Sequence, residues 1–249
     1  MKFTTSWDDG YALDLRLADL LRKYGITGTF YPCPAPQLGQ KMISESEIRS
    51  LAVDFEIGAH SLTHPRLSTK SPDQIRNELT GSKKWIEDIT GKPCTMFCYP
   101  KGDVNAAVRD LTAQAGFKGA RTVEMLRFSC TDGFLMPTSL HVYPFPLRRR
   151  WTRASHLLDP LPWHRRFGER FRELHVPLSA QTSWLKLAMA LYRYAADHQQ
   201  PFFHLWGHSA EIDKFNMWKD LERFLIFVTE YDANIEHVPN SRLLPVLIA

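Results

Sequence analysis

The sequence is short of cysteine, of long apolar runs and of charge imbalance, and each shortage excludes something. Its four cysteines, Cys33, Cys94, Cys98 and Cys130, form no C-x-x-C pair and no zinc-finger spacing. A disulfide framework and a cysteine-based structural zinc module are therefore excluded, and free thiols in a reducing compartment are expected. No apolar stretch nears the ~20 residues that a transmembrane helix needs. The first apolar strand begins at Met1 with no basic-plus-apolar leader ahead of it, so the reading is a cytoplasmic chain without a signal peptide. Lys and Arg number 31 against 27 Asp and Glu, a net charge of +4. That balance permits an acidic substrate and does not call for nucleic acid. Repeats and low-complexity segments are absent too. What is present is an ordinary core composition, 44% hydrophobic and 12% aromatic over 249 residues, enough for one large domain.

The chain is organised around Ser6-Trp7-Asp8-Asp9-Gly10. An apolar, β-branched run from Met1 to Trp7 predicts a strand that stops at two carboxylates and a glycine, with a helix following over Tyr11 to Tyr24. Adjacent side chains in a strand point to opposite faces, but a turn at Gly10 can bring both aspartates to one side. The structural alternative is helix capping by Asp8 or Asp9.

Strand and helix signals then alternate. Strands are expected at 26–33, 55–59, 95–99 and 117–122. Helices are expected from Ser44-Glu45-Ser46-Glu47, which reads as a capping box, over Pro72 to Ile89 closed by Gly91, and over Val104 to Ala115 closed by Gly116. This rhythm argues for parallel β/α units whose strand ends collect Asp8, Asp9, His60, Lys101 and Arg121 at one mouth. From about 128 to 179 the rhythm is lost to prolines and arginines, among them Arg148, Arg149, Arg150 and Arg153, with a strand expected at 138–143. This basic excursion reads either as a salt-bridged surface or as a face for phosphate groups or anionic headgroups, leaving peripheral membrane contact open. Helix 184–198, strand 201–208, helix 214–231 and strand 235–238 complete the chain.

His60-Ser61-Leu62-Thr63-His64-Pro65 places two imidazoles four apart, and Pro65 disfavours a helix through them. The spacing is weak alone, since random placement of 10 histidines gives roughly 0.4 such pairs. A second pair, His204 and His208, lies in the late apolar strand, where His204 and Trp206 read as an aromatic wall. The first pair gains weight from its place at a strand end, like the Asp pair. One Asp and two His suit a divalent transition metal with open positions, zinc first, with cobalt, nickel, iron or manganese as alternatives.

These residues resemble the NodB-like polysaccharide deacetylases, carbohydrate esterase family 4. Ser6-Trp7-Asp8-Asp9-Gly10 is similar to their T-F-D-D-G, His60 to His64 fits H-[ST]-x-x-H, Phe97 to Gly102 stands where they have F-R-P-P-Y-G, and Leu205 to His208 fits L-x-x-H. The resemblance implies an α/β fold, a distorted (β/α) barrel of about seven parallel strands, with residues 1–249 as one catalytic domain. It implies metal-dependent hydrolysis of N-acyl groups on amino sugars, with a glycan or a nucleotide- or lipid-linked precursor as substrate, in surface polysaccharide biosynthesis. Asp9, His60 and His64 would hold the metal, Asp8 would be the base, His208 the acid, and the backbone N–H of Lys101 an oxyanion donor. The chain departs from the family at Cys98, where an Arg orients the base, and at Lys101 in place of Tyr. It also lacks the D-x-x-D-W motif. Arg121 is the candidate replacement cation near Asp8, His141 and Trp206 are candidate pocket residues, and Ser209-Ala210-Glu211 could orient His208. A hydrolase of another amide and a silent carbohydrate-binding protein are the alternative readings.

Overall fold

The computed structural model of the chain describes residues 1–35, 39–145, 162–231 and 234–244. Arg148, Arg149, Arg150 and Arg153, read above as part of the basic excursion, lie outside the described residues. Among the described residues there are eight strands, and most of them are separated by helices. They are β1 Lys2–Asp9, β2 Thr29–Pro32, β3 Glu56–Ile57, β4 Met96–Cys98, β5 Gly119–Arg121, β6 Leu140–His141, β7 Phe202–Gly207 and β8 Glu236–His237. The described helices are α1 Asp14–Lys23, α2 Glu45–Leu51, α3 Pro72–Thr90, α4 Ala106–Gln114, α5 Pro162–Glu173, α6 Trp184–Asp197, α7 Ser209–Lys214 and α8 Trp218–Tyr231.

β1 is the central strand, paired in parallel with β2 on one side and β7 on the other. From Phe3 to Asp9 it is buried without interruption, as expected of a parallel strand covered on both faces. Phe3 anchors an aromatic cluster with Tyr192, Phe203 and Phe224, which ties β1 and β7 to α6 and α8. The sheet runs β3-β2-β1-β7-β6, and β4 and β5 form a separate parallel pair. Single parallel bridges, Ala59 with Phe97 and Arg121 with Met136, continue the path from β3 to β4 and from β5 toward β6. Seven strands thus follow a distorted barrel path in which two joints are bridges rather than ladders, as the sequence led us to expect.

Local chemistry sets the helix ends. Ser44 with Glu47 and Ser71 with Gln74 form capping boxes at α2 and α3, and Gly91 ends α3 in the left-handed conformation. The capping alternative for the Asp pair does not hold, because α1 starts behind Leu13 with no side-chain cap. The expected helix from Lys214 to Tyr231 is corrected to two. Asn216, at φ 54°, closes α7, and the Met217 N–H donates to the Ile212 carbonyl in a Schellman-type stop before α8. Where the basic excursion is described, α5 carries the expected surface pairs, Arg170 with Glu173 and Arg172 with Glu169. Trp184 is buried in the core and donates its Nε1–H to the His141 carbonyl, so it offers no ring to a ligand. All four cysteines are free thiols.

Candidate metal centre and hydrolytic site

The register of β1 against its neighbours decides what meets at the mouth. Asp8 lies across from Tyr31 and Trp7 across from Gly207, so His208 emerges beside the two aspartates. In a regular strand Asp8 and Asp9 would diverge, but Asp9 takes φ 76° and Gly10 φ 79°, which swings the second carboxylate round. A Cβ on Gly10 would sit 2.8 Å from the Pro32 Cβ, so only glycine fits this bend. Ser61, His64 and Lys101 also have positive φ, at 62°, 54° and 60°. Four of the eight described non-glycine residues in the left-handed region therefore lie in these strand-end loops, strain of the kind that folds concentrate at working sites.

Asp9, His60 and His64 converge. Each imidazole Nε2 is 3.4 Å from Asp9 Oδ1, and the His rings are 4.8 Å apart. Among the described residues Asp9 Oδ1 is buried with no hydrogen-bond partner, while Oδ2 accepts from the Tyr11 hydroxyl at 2.6 Å. His60 Nδ1 lies 2.8 Å from the Cys98 carbonyl, which can only accept, so Nδ1–H donates to it and Nε2 is the ring nitrogen that faces Asp9. Burial, and then the neighbouring His60, push His64 down to about 4, so its ring is neutral at pH 7. Burial opposes a charged His60, but Cys98 and Asp9 beside it hold its imidazolium well above the ordinary value. An entering cation would displace that proton. One orphaned carboxylate oxygen and two imidazole nitrogens aimed at one point suit a divalent transition ion, and this is a candidate His/Asp metal site.

Asp8 has a different environment. Burial disfavours its charge, but Arg121 and the nearby histidines hold it below the usual carboxylate range. Arg121 is fully buried, and its Nη2 contacts both Asp8 oxygens and lies 2.9 Å from Cys98 Sγ. The guanidinium also lies over the rings of Trp206, at 4.9 Å, and Tyr31, at 5.7 Å. The cation missing at position 98 is thus brought to the same carboxylate from the next strand. Cys98 itself is a buried thiol 3.7 Å from Asp8 Oδ2. Lys101, in a short 3-10 turn after β4, is near enough to lower His64 further.

His208, the residue after β7, has Nε2 3.8 Å from Asp9 Oδ2 and Nδ1 2.8 Å from Glu211 Oε2. Burial lowers its pKa, but the hydrogen bond to Glu211 and the charges of Asp8 and Asp9 raise it overall to about 9. Glu211 also lies 3.2 Å from His141 Nε2, without the alignment of a hydrogen bond. The His141 ring stacks on Trp206 at 4.0 Å. Two partners were not legible as such in the sequence. One is Tyr11; the other is Asp14, fully buried and pushed up to about 8 by burial, which accepts from Ser209 and so ties α1 to the start of α7, directly after His208. His204 is the core residue expected, buried, held by Ser6 Oγ at 2.8 Å and pushed down to about 3 by burial and Arg121.

Parallel strands ending in a carboxylate, two imidazoles, a second carboxylate and a histidine–glutamate pair define an α/β protein with a candidate His/Asp metal site at its strand ends. Residues 2–120 match the family model described as polysaccharide deacetylase, the family this part of the chain is similar to. Among its relatives, peptidoglycan-N-acetylmuramic acid deacetylase PdaA of Bacillus subtilis is 32% identical over 124 residues, 47% of this chain and 43% of its own length. The match therefore spans less than half of that curated relative. A family 4 acetyl xylan esterase from Clostridium thermocellum, solved in complex with a cobalt ion, has the same fold, with a TM-score of 0.58 at 14% identity over 99% of this chain and 91% of its own. A carbohydrate-esterase-4 pseudoenzyme from Bacillus anthracis also shares it, at 0.55 and 16% over 98% of this chain and 65% of its own. Asp8, Asp9, His60 and His64 fall inside the family match; Arg121, His141, His208 and Glu211 fall beyond it.

Proposed function

We propose that the chain is a single-domain, metal-dependent hydrolase that removes an N-acetyl or other N-acyl group from an amino sugar of a glycan or glycan precursor. The observation that carries this reading is the meeting of Asp8, Asp9, His60, His64 and His208 at one strand-end mouth, with Asp9 Oδ1 left without a hydrogen-bond partner among the described residues. Support for a cell-surface glycan as substrate comes from the relative named for peptidoglycan. Asp9, His60 and His64 would hold a divalent transition ion, with zinc or cobalt fitting the nitrogen-and-oxygen donor set. When bound, such an ion supplies Lewis acidity at neutral pH.

The chain's own groups supply the proton traffic. Asp8, held at both oxygens by Arg121, is the base that takes a proton from the attacking water. His208, protonated below about pH 9, gives a proton to the departing nitrogen, which an amide hydrolysis needs for collapse. Glu211 fixes Nδ1–H of His208 and leaves Nε2 facing the site. The backbone N–H of Lys101 is the candidate oxyanion donor. A protein that only binds glycan requires neither Asp8 nor the His208–Glu211 pair.

Glu211 gives this reading a pH signature. The His208 acid is lost as pH rises through its pKa, so activity falls on the alkaline side. Glu211→Gln removes the charge that raises His208, and the alkaline limb of kcat moves down by about 1–3 pH units. The pH–rate profiles of wild type and variant check this, and superimposable alkaline limbs would remove Glu211 from the mechanism. The activity itself is tested by acetate release from N-acetylglucosamine oligomers.

A further inference from the structure

A cavity of about 340 Å³ opens directly beside the His208–Glu211 pair, and the deacylation proposed above makes no use of it. One wall belongs to the site: His141, Trp206 and Glu211. Tyr143 continues that wall, Trp163 and Arg166 come from α5, and Val123 and Met125 from the loop after β5. The volume lies at the low end of the roughly 300–1,000 Å³ usual for small-molecule sites, room for a sugar ring and a substituent rather than a polymer.

The lining is chemically uneven. Trp206, His141 and Tyr143 form a continuous stack, with centroids 4.0 Å and 5.3 Å apart, that leads from the site into the cavity. Trp163 is fixed by stacking on Phe167 at 5.2 Å and by an edge contact with Phe145 at 5.9 Å. Aromatic walls of this kind suit the apolar face of a sugar ring. The one carboxylate in the lining, Glu211, is committed to His208 and His141. On α5, Arg170 and Arg172 are paired with Glu173 and Glu169, whereas among the described residues no carboxylate pairs with Arg166. Its guanidinium rests over the Phe167 ring, 5.1 Å from the centroid. Among the described residues the uncommitted charge at this cavity is therefore positive.

We propose that the cavity is a subsite for a sugar bearing an anionic group, phosphate or carboxylate, next to the N-acyl group. Trp163 and Tyr143 hold the ring, and Arg166 pairs with the anion. The proposal rests on the deacylase reading for the identity of the adjoining site, and its test separates the two. Equilibrium binding of three probes is measured on the metal-loaded protein: N-acetylglucosamine, N-acetylglucosamine 1-phosphate and N-acetylmuramic acid.

An arginine–anion hydrogen bond contributes about 1.5–3 kcal/mol, so at least one anionic probe binds about tenfold or more tighter than the neutral sugar. Whichever anion binds tighter identifies the source of the charge. Arg166 is exposed, so Arg166→Gln folds normally; it brings the anionic probe to within about twofold of the neutral one and leaves the neutral sugar unchanged. Trp163→Ala weakens all three. Equal binding of the probes by wild type, no binding of any, or a preference that survives Arg166→Gln overturns the subsite. Acetate release is followed in the same samples: a preference without acetate leaves the subsite standing and sinks the deacylase reading, and acetate without a preference does the reverse.

Discussion

Asp8→Asn lowers the rate of acetate release by about 10²–10⁴-fold, the usual contribution of a general base, while the metal content of the protein stays at the wild-type level. The split follows from the geometry. Asp9, not Asp8, shares its open oxygen with the two imidazoles, and Asp8 is engaged by Arg121. The amide keeps the shape of the carboxylate and one oxygen for Arg121, but it cannot take a proton. It also leaves Arg121 buried without a counter-charge, and breaking such a pair costs about 3–5 kcal/mol, so the melting temperature falls as well. Turnover and metal content are therefore compared on protein shown to be folded by near-UV circular dichroism at the assay temperature. A variant that loses its metal along with its activity would make Asp8 a ligand rather than a base.

The His60→Ala/His64→Ala double variant has the opposite signature: metal content drops from about one ion per chain to none, and acetate release disappears with it. Elemental analysis of purified wild type and variant, each reconstituted with zinc or cobalt, reads this directly. Retention of the ion in the double variant would place the metal elsewhere, and the second cluster of His141, His208 and Glu211 would be examined next. Because its neighbours hold the His60 pKa above the ordinary value, proton and metal compete for Nε2 and metal affinity rises with pH.

Much of this site is local in sequence, which is why it was legible. Asp8 and Asp9 adjoin a glycine whose φ of 79° requires that residue type, and His60 and His64 share one loop. The β/α rhythm marked where these loops would lie, and the capping box at Ser44 and the proline at position 72 marked two helix starts to within a residue. Strand ends were read too long, since β3 pairs over only Glu56–Ile57 where 55–59 looked extended. Contacts across the barrel were the least legible. Arg121 could be named as a cation near Asp8 but not given its full burial, and the Asp14–Ser209 link joins residues 195 apart. Glu211 acts only because α7 forms and stops at Asn216, and the left-handed residue that stops it is an asparagine, a weaker signal than glycine. With the long D-x-x-D-W motif absent, the support of His208 comes from three residues ahead of it rather than from another strand.

The most direct test of the account is acetate release from N-acetylglucosamine oligomers by metal-free protein titrated with zinc or cobalt. The account predicts no release at the start, a linear rise with added metal, and a plateau near one ion per chain. A protein that binds one ion through Asp9, His60 and His64 yet releases no acetate from these oligomers, nor from their phosphate- or carboxylate-bearing counterparts, would contradict it.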